Sequence, residues 1–452
     1  MSARNVFITG LGIVSSIGIG KEAFFEGLLE KRSGVTSLAD RTDEGAVPRK
    51  QDLDPKNPAA GLWIGAPILD FDAKLYVTPR KALKVMCREI QTSFAASQLS
   101  IKDAGVADHF PLSDDSDLDR SDVGTVFGSE MFYGPPSEMQ DAFLACNDEQ
   151  GEFDASLFGG AAMKKVLPLW MLKYLPNMPA CHVGISLGAH GPNNSLVLGD
   201  VSGPAAMMEA QSCLQRNIAK LMLTGSVGTR INTTRMNYRG DLPIAETFSP
   251  VELASRPYDP TSRGVVGGEA AVTFVLETQS QLDARDAKPL ARISALVSRF
   301  VASPAMKNGI RSTASSVEAG RGSAKAIELA IQDALAQANL NASDIGAVIS
   351  QACGDVSIDA CEAQAIRSTL PDCPITAPIA ALGHTGAAAG SVNIAVGLLT
   401  LGHKKIPPTI QSSDRKRTLP LLENARSLDQ PHVMCLSHTS EGSATAVILS
   451  SS

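Results

Sequence analysis

The chain of 452 residues is poor in aromatic side chains, at 5%, and in charged side chains, at 19%. Its 40 basic residues against 47 acidic ones give a formal net charge of −7. Binding to nucleic acid or to an anionic membrane requires clustered Lys and Arg, so neither partner is indicated. With 44% hydrophobic residues and 38 glycines, the composition is typical of a soluble, closely packed α/β protein.

The sequence also lacks a run of the roughly 20 apolar residues that a membrane span needs. The start, MSARNVFITG, is strand-like and has no apolar signal segment, so we expect a cytoplasmic protein. Eight cysteines occur without CxxC spacing, which predicts neither a zinc site nor a disulfide scaffold. The glycine-rich LGIVSSIGIG lacks the spacing of a nucleotide loop, and no cofactor is expected.

Strand-like and helix-like segments alternate along the chain. A β-branched run at 6–14 predicts a strand, and 21–34 predicts the helix that follows it. A second set of similar order occupies 323–450. Because the length exceeds that of a usual single core, we expect two similar halves, 1–255 and 256–452, joined in one body.

The most informative segment is residues 191–210, GPNNSLVLGDVSGPAAMMEA, which has the outline of a strand turning sharply into a helix. It resembles the nucleophile segment of the β-ketoacyl-acyl-carrier-protein synthases, GP-S-x-x-x-A-C-A-S-G-x-x-A-x-x-E-A. The match puts Asp200 on the nucleophilic cysteine and a helix over 200–219. A carboxylate is weakly nucleophilic and would give a labile mixed anhydride, so ordinary acyl transfer onto this chain is not expected.

The resemblance to this family of the thiolase-like superfamily runs nearly end to end. It includes, in the correct order, NVFITGLGIVSSIGIG, SRPYDPTSRGVVGGEAA, LGHTGAAAGSV and IPPTI. It implies a five-layered α-β-α-β-α fold made of two similar halves. It also implies a homodimer or heterodimer that works on acyl-carrier protein and acyl thioesters.

The active-site positions depart from the family pattern. Of the two histidines that polarise the thioester oxygen, the second is matched by His384 and the first by Cys353. The family's lysine becomes Ile379, its glutamate becomes Asn393, and Glu441 falls on the gating phenylalanine of a glycine-rich loop. With Asp200, at least five positions have changed chemical type, which indicates a different task.

Each of these residues admits two interpretations. Asp200 is either a base or fixed charge in a remodelled pocket, or a cap on the free N–H groups of a helix. His384 either acts on a thioester or is an inherited structural residue, and Cys353 is either a relocated nucleophile or a small buried thiol. Glu441 either adds a second carboxylate to the cleft or is a solvated loop residue, and we expect His438 on the same tail to be exposed.

Three functions follow from these interpretations. The first is a companion subunit of an active ketosynthase, similar to the chain-length factors that lack the cysteine. The second is an enzyme with altered thioester chemistry, by acid–base catalysis or decarboxylation, through Asp200 and His384. The third is a binder of acyl-carrier protein or lipid without catalysis. The basic residues at 404–405 and 415–417 either meet an acidic carrier protein or form a solvated surface.

Overall fold

The computed structural model describes residues 5–38, 64–116, 118–134, 137–231, 242–245, 248–307, 317–411 and 417–452. Residues 415 and 416 of the basic segment named above lie outside these ranges.

The described strands form one large sheet and a separate two-stranded ribbon. In chain order they are β1 (Val6–Ser15), β2 (Gly18–Ile19), β3 (Thr36–Ser37), β4 (Ile64–Ala66), β5 (Val123–Gly128), β6 (Asn193–Leu196), β7 (Leu221–Thr229), β8 (Gly267–Thr278), β9 (Ala291–Phe300), β10 (Ile345–Ile349), β11 (Ile375–Thr376), β12 (Lys405–Ile406), β13 (Arg426–Ser427), β14 (His432–His438) and β15 (Ser443–Ser450).

The α-helices alternate with these strands. Those within the described ranges are α1 (Lys21–Leu29), α2 (Arg88–Asp103), α3 (Ser137–Leu144), α4 (Met178–Leu187), α5 (Ser202–Gln215), α6 (Gln279–Ala284), α7 (Pro304–Lys307), α8 (Ala324–Ala338), α9 (Val356–Thr369), α10 (Ile379–Leu382) and α11 (Ala389–His403).

The large sheet has the strand order β11-β10-β14-β15-β9-β1-β8-β7-β5-β6, in which two sets of five strands lie side by side. The two sets join where β1 pairs antiparallel with β9, with Phe7 opposite Arg292 and Ile8 opposite Ala291. Strand β8, which lies after the predicted division at 255/256, hydrogen-bonds to β1 and β7 of the first set. That division stays a prediction.

Side chains alternate between the two faces of the sheet, as the period of a strand requires. In β7, Leu223 packs with α2 and α4, whereas Met222 packs with α5 and α11. In β14, Cys435 joins the α5 and α11 side and Met434 packs with α8 and α9. The layers are therefore α2/α4, strands, α5/α11, strands and α8/α9, the five-layered arrangement that the family resemblance implies.

Helix α11 lies at the centre of this arrangement. With the turn before it, Gly386–His403, it is the one helix in the described ranges that is long and apolar enough to cross a membrane, and 83% of it is buried inside the fold. Burial of this extent is what a core helix of the middle layer shows, and it accounts for the apolar composition.

Most predicted elements are present with shifted ends. The strand at 6–14 is β1, and the helix predicted over 21–34 ends at Leu29. The helix predicted over 200–219 spans Ser202–Gln215, because Asn217 takes a left-handed conformation with φ 59° and ends it.

Candidate functional site

Asp200 lies in the turn that connects β6 to α5. Gly199 has φ 64°, a left-handed conformation that favours glycine, and Gly199–Val201 form one 3₁₀ turn before the helix. The Ser202 hydroxyl fixes this turn by accepting from the N–H of Leu198 at 2.8 Å and donating to the Gly199 carbonyl at 2.6 Å. Asp200 is thereby held in the interior with 6% of its surface exposed.

The Asp200 carboxylate contacts His384. His384 Nε2 lies 3.1 Å from Asp200 Oδ2, and its Nδ1 accepts a hydrogen bond from the N–H of Gly386 at 3.1 Å. Because Nδ1 accepts, the ring hydrogen resides on Nε2, which donates to Asp200. The single N–H of this imidazole is thus committed to the carboxylate.

The backbone holds His384 in this position. Its N–H donates to the carbonyl of Val266 at 2.7 Å, and its carbonyl accepts from the N–H of Gly268 at 2.9 Å. A side chain at Gly268 would place its Cβ 2.0 Å from the Leu382 carbonyl oxygen, so the close approach of this loop to β8 requires glycine. The predicted proximity of Asp200 and His384 is therefore built into the scaffold.

Two further residues surround Asp200, and the sequence pattern did not identify them. The amide of Gln351 donates to Asp200 Oδ2 at 3.4 Å. Arg230, the residue directly after β7, places a guanidinium nitrogen 3.5 Å from Asp200 Oδ1, and both side chains are less than 10% exposed. Asp200 is a carboxylate held between an imidazole, an amide and a guanidinium.

The capping interpretation of Asp200 does not describe this geometry. The N-cap of α5 is Val201, and the helix begins without a side-chain cap hydrogen bond. The carboxylate instead contacts His384 and Gln351, a geometry that favours the interpretation of Asp200 as a base or fixed charge.

Cys353 is 3% exposed and follows β10. Burial raises the pKa of its thiol well above the ordinary value, and the negative charges of Asp359 and Asp355 raise it further. Because the thiolate is the reactive species, this environment suits a small buried thiol and opposes a relocated nucleophile.

His438 is buried, and the expectation that it is exposed is wrong. It ends β14, is 2% exposed, and places Nε2 3.2 Å from Glu362 Oε2 of α9. The same carboxylate accepts from the Tyr258 hydroxyl at 2.7 Å and from the N–H groups of Gln351 and Ala352 at 3.0 and 2.7 Å. With this many donors, the buried carboxylate of Glu362 is energetically tolerable. His438 was expected to be exposed because the strand that carries it was not predicted.

A second carboxylate of α9 supports the loop after β10. Asp359 accepts hydrogen bonds from the backbone N–H groups of Tyr258, Cys353 and Gly354. Burial raises the pKa of Asp359 to about 7, although the N–H groups of Tyr258 and Cys353 lower it. Asp359 and Glu362 are three residues apart on one helix face, and this acidic pair in a helix of small residues is the signal that could have identified them.

The other three predicted positions are Asn393 and Ile379, which are buried, and Glu441, which is exposed. Asn393 donates to the carbonyl of Leu436 at 2.8 Å. Asn393 and Ile379 line, with Gln351, a cavity of about 10 Å³, room for one water molecule. Glu441 is exposed and its carbonyl accepts from the N–H of Ser303, which matches the solvated alternative.

Few hydrogen-bond donors around His384 therefore remain free to bind a substrate oxygen. Its imidazole N–H and the Gln351 amide both face Asp200, and a thioester carbonyl would have to compete with a full negative charge for them. Across the described ranges, no group of three or more His, Cys, Asp and Glu side chains is arranged to hold a metal ion.

The comparisons with known proteins agree with this architecture. The family model for the "Beta-ketoacyl synthase, N-terminal domain" matches residues 3–282, and that for the "Beta-ketoacyl synthase, C-terminal domain" matches 303–413. The "3-oxoacyl-[acyl-carrier-protein] synthase 2" of Synechocystis sp. is 26% identical over 419 residues, which cover 91% of this chain and 88% of that protein.

Solved structures share the fold at lower identity. "The ishigamide ketosynthase/chain length factor" superposes with a TM-score of 0.76 at 20% identity, with both chains covered completely. A type II PKS acyl-carrier protein in complex with its ketosynthase gives 0.73 at 17% identity, again with complete coverage of both chains. With the two family models together matching most of its length, the chain belongs to the β-ketoacyl synthase family and has its thiolase-like fold.

Proposed function

We propose that this protein is a companion subunit, similar to a chain-length factor, of an active ketosynthase in fatty-acid or polyketide synthesis in the cytoplasm. The observation that carries the proposal is the Asp200–His384 contact of 3.1 Å. A carboxylate replaces the nucleophile and also occupies the donor of the histidine that the family uses on the thioester. Condensation through a covalent acyl intermediate requires a nucleophile and a free histidine donor, and neither is present at this site.

The rest of the pocket supports the same role. Cys353 offers no imidazole at the first histidine position, and Arg230 holds Asp200 from the other side. Of the solved structures with this fold, one is a ketosynthase/chain length factor, and another is an acyl-carrier protein in complex with its ketosynthase. These two structures support a partnership of this chain with a ketosynthase and an acyl-carrier protein.

A partner surface is available at the edge of the large sheet. Strand β6 pairs with β5 on one side and, in the described part of the chain, has no strand on the other. Helix α4 packs on β6. Ile185 on α4 and Val197 and Leu198 after β6 are 77%, 42% and 52% exposed. An unpaired edge flanked by exposed apolar side chains is suited to pairing with another chain.

Co-expression with the ketosynthase of the same genome that retains Cys, His and His tests the proposal. We expect a stable heterodimer on size exclusion and in native mass spectrometry. Val197→Lys should weaken it, because a charge is placed beside the edge strand, whereas Met306→Lys, at another exposed apolar residue, should not. Exclusive formation of homodimers by both proteins would contradict the proposal.

A second candidate rests on the same contact. Asp200 and His384 form an acid–base pair, which favours an enzyme that transfers a proton on a thioester-bound substrate, including malonyl decarboxylation. Turnover of malonyl-acyl-carrier protein by the wild type, lost in Asp200→Ala and His384→Ala, would support it. Equal turnover by the wild type and the two variants would eliminate this candidate. Binding without turnover by the isolated protein would favour a non-catalytic binder of acyl-carrier protein or lipid.

A further inference from the structure

A second buried imidazole lies beside the Asp200–His384 pair and takes no part in the chemistry above. His438 Nε2 is 3.2 Å from Glu362 Oε2, with side-chain exposures of 2% and 0%. Both ring nitrogens are buried without a hydrogen bond of standard geometry within the described residues, and Nδ1, unlike Nε2, does not have an ionic contact there either. A buried polar atom of this kind calls for an explanation, and a ligand is one.

Carboxylates from two elements face this ring. Burial alone would lower the pKa of His438, but the charge of Glu362, and the smaller contributions of Asp359 and Asp200, raise it above the ordinary value. Glu362 and Asp359 lie on α9 and Asp200 lies before α5. With both ring nitrogens protonated, Nε2–H faces Glu362 and Nδ1–H remains a buried donor.

Gln351 connects this imidazole to the site already described. Its Oε1 accepts from the N–H of His438 at 3.0 Å, and its Nε2 donates to the His438 carbonyl at 2.7 Å and to Asp200 at 3.4 Å. Glu362 also accepts from the N–H of Ala352, the residue before Cys353. His438 therefore lies against the end of β10, next to the position where the first histidine is missing.

The surrounding charges restrict what could satisfy this donor. Asp200, Glu362 and the partly ionised Asp359 face two positive groups, the protonated His438 and the Arg230 that contacts Asp200. These charges nearly cancel, so no net positive charge remains to attract an anion, and the acceptor that fits is a neutral carbonyl oxygen.

We propose that His438 is a ligand-binding residue whose Nδ1–H donates to the carbonyl oxygen of an acyl thioester. The inference deepens the proposed function, since it assumes that acyl thioesters reach this pocket, and it assigns their recognition to a residue outside the family's two histidine positions. Binding involves no covalent step.

The test uses the full chain with ring-¹⁵N histidine and two probes, S-acetylpantetheine and free pantetheine, which lacks the thioester carbonyl. We expect S-acetylpantetheine to shift the Nδ1 resonance of His438, assigned by its loss in His438→Gln, and pantetheine to leave it unchanged. The dissociation constant of S-acetylpantetheine should rise about 10-fold or more in His438→Gln, the range for a hydrogen bond from a charged donor.

His432→Gln, on the same strand but bonded to Ser450, is the matched control and should bind like the wild type. Glu362→Gln removes the charge that faces His438 and should also weaken the binding of S-acetylpantetheine. This variant replaces His438→Gln in the test if His438→Gln does not fold. A lowered melting temperature with unchanged affinity in both variants would show a structural role and overturn the inference. Equal shifts with the two probes, or no binding by the wild type, would also overturn it, and heterodimer formation would be unaffected by either result.

Discussion

His384 donates its Nε2 hydrogen to Oδ2 of Asp200 at 3.1 Å while its Nδ1 is occupied by the N–H of Gly386. The hydrogen-bond donor of His384 is therefore satisfied by Asp200, the residue that the family resemblance places at the nucleophile position. One sequence change, the carboxylate at position 200, therefore occupies the hydrogen-bond donor of His384 before any substrate arrives.

Removing the Asp200 carboxylate should destabilise the fold. Asp200→Ala leaves Arg230 and His384 buried without the charge that they face, and loss of one partner from a buried pair costs about 3 kcal/mol. Urea unfolding at pH 7 measures the change in free energy. Asp108→Ala, at an exposed position, should change it by less than about 0.5 kcal/mol, and equal stability of the two variants would contradict the assignment.

Restoring a thiol should restore acylation without condensation. In Asp200→Cys, the start of α5 and the Arg230 guanidinium both favour a thiolate, so intact mass should increase by one acyl group on exposure to an acyl thioester. Malonyl condensation should remain absent because Cys353 provides no imidazole. The adduct should persist in Asp200→Cys/Cys353→Ala, and condensation by Asp200→Cys alone would show that the first histidine is dispensable here.

Glu89 on α2 should make stability fall as pH rises. Burial and the charges of Glu269 and Glu130 raise its pKa from 4.5 to about 7, so between these values the unfolded chain releases a proton that the folded chain retains. Glu89→Gln should therefore be more stable than the wild type at pH 8, on the order of 3 kcal/mol, with the difference vanishing near pH 4. Urea unfolding at both pH values, with the exposed Glu26→Gln as control, measures this; equal stabilities at pH 8 would exclude it.

Cys353 should resist alkylation in the native protein. Its raised pKa and burial leave almost no accessible thiolate at pH 7. Iodoacetamide followed by peptide mass mapping should label Cys353 only after unfolding in urea. Fast labelling of the folded chain at pH 7 would revive its role as a nucleophile.

The layers and the placing of Asp200 and His384 in one site could be predicted because several separated motifs of the chain resemble a known family. Strand and helix periods, which are visible in short windows, predict only some of the elements that build the layers. The strands Ala291–Phe300 and His432–His438 were not predicted, because their polar residues obscure the alternation and their burial depends on distant partners.

The network around Glu362 could not be predicted for the same reason. Glu362, Tyr258, Gln351 and His438 come from four segments of the chain, and each polar side chain is tolerable in the interior only because the other three are present. A single-sequence pattern does not show these partners, which is why His438 was expected in solvent.

Intact-mass analysis of the wild-type protein after exposure to an acyl thioester tests the loss of the covalent intermediate most directly, with Asp200→Cys as the positive control. We predict an unchanged mass for the wild type and an added acyl group for the variant. A stable acyl adduct on the wild-type chain, at Asp200, Cys353 or any other pocket residue, would contradict this prediction and the proposed function with it.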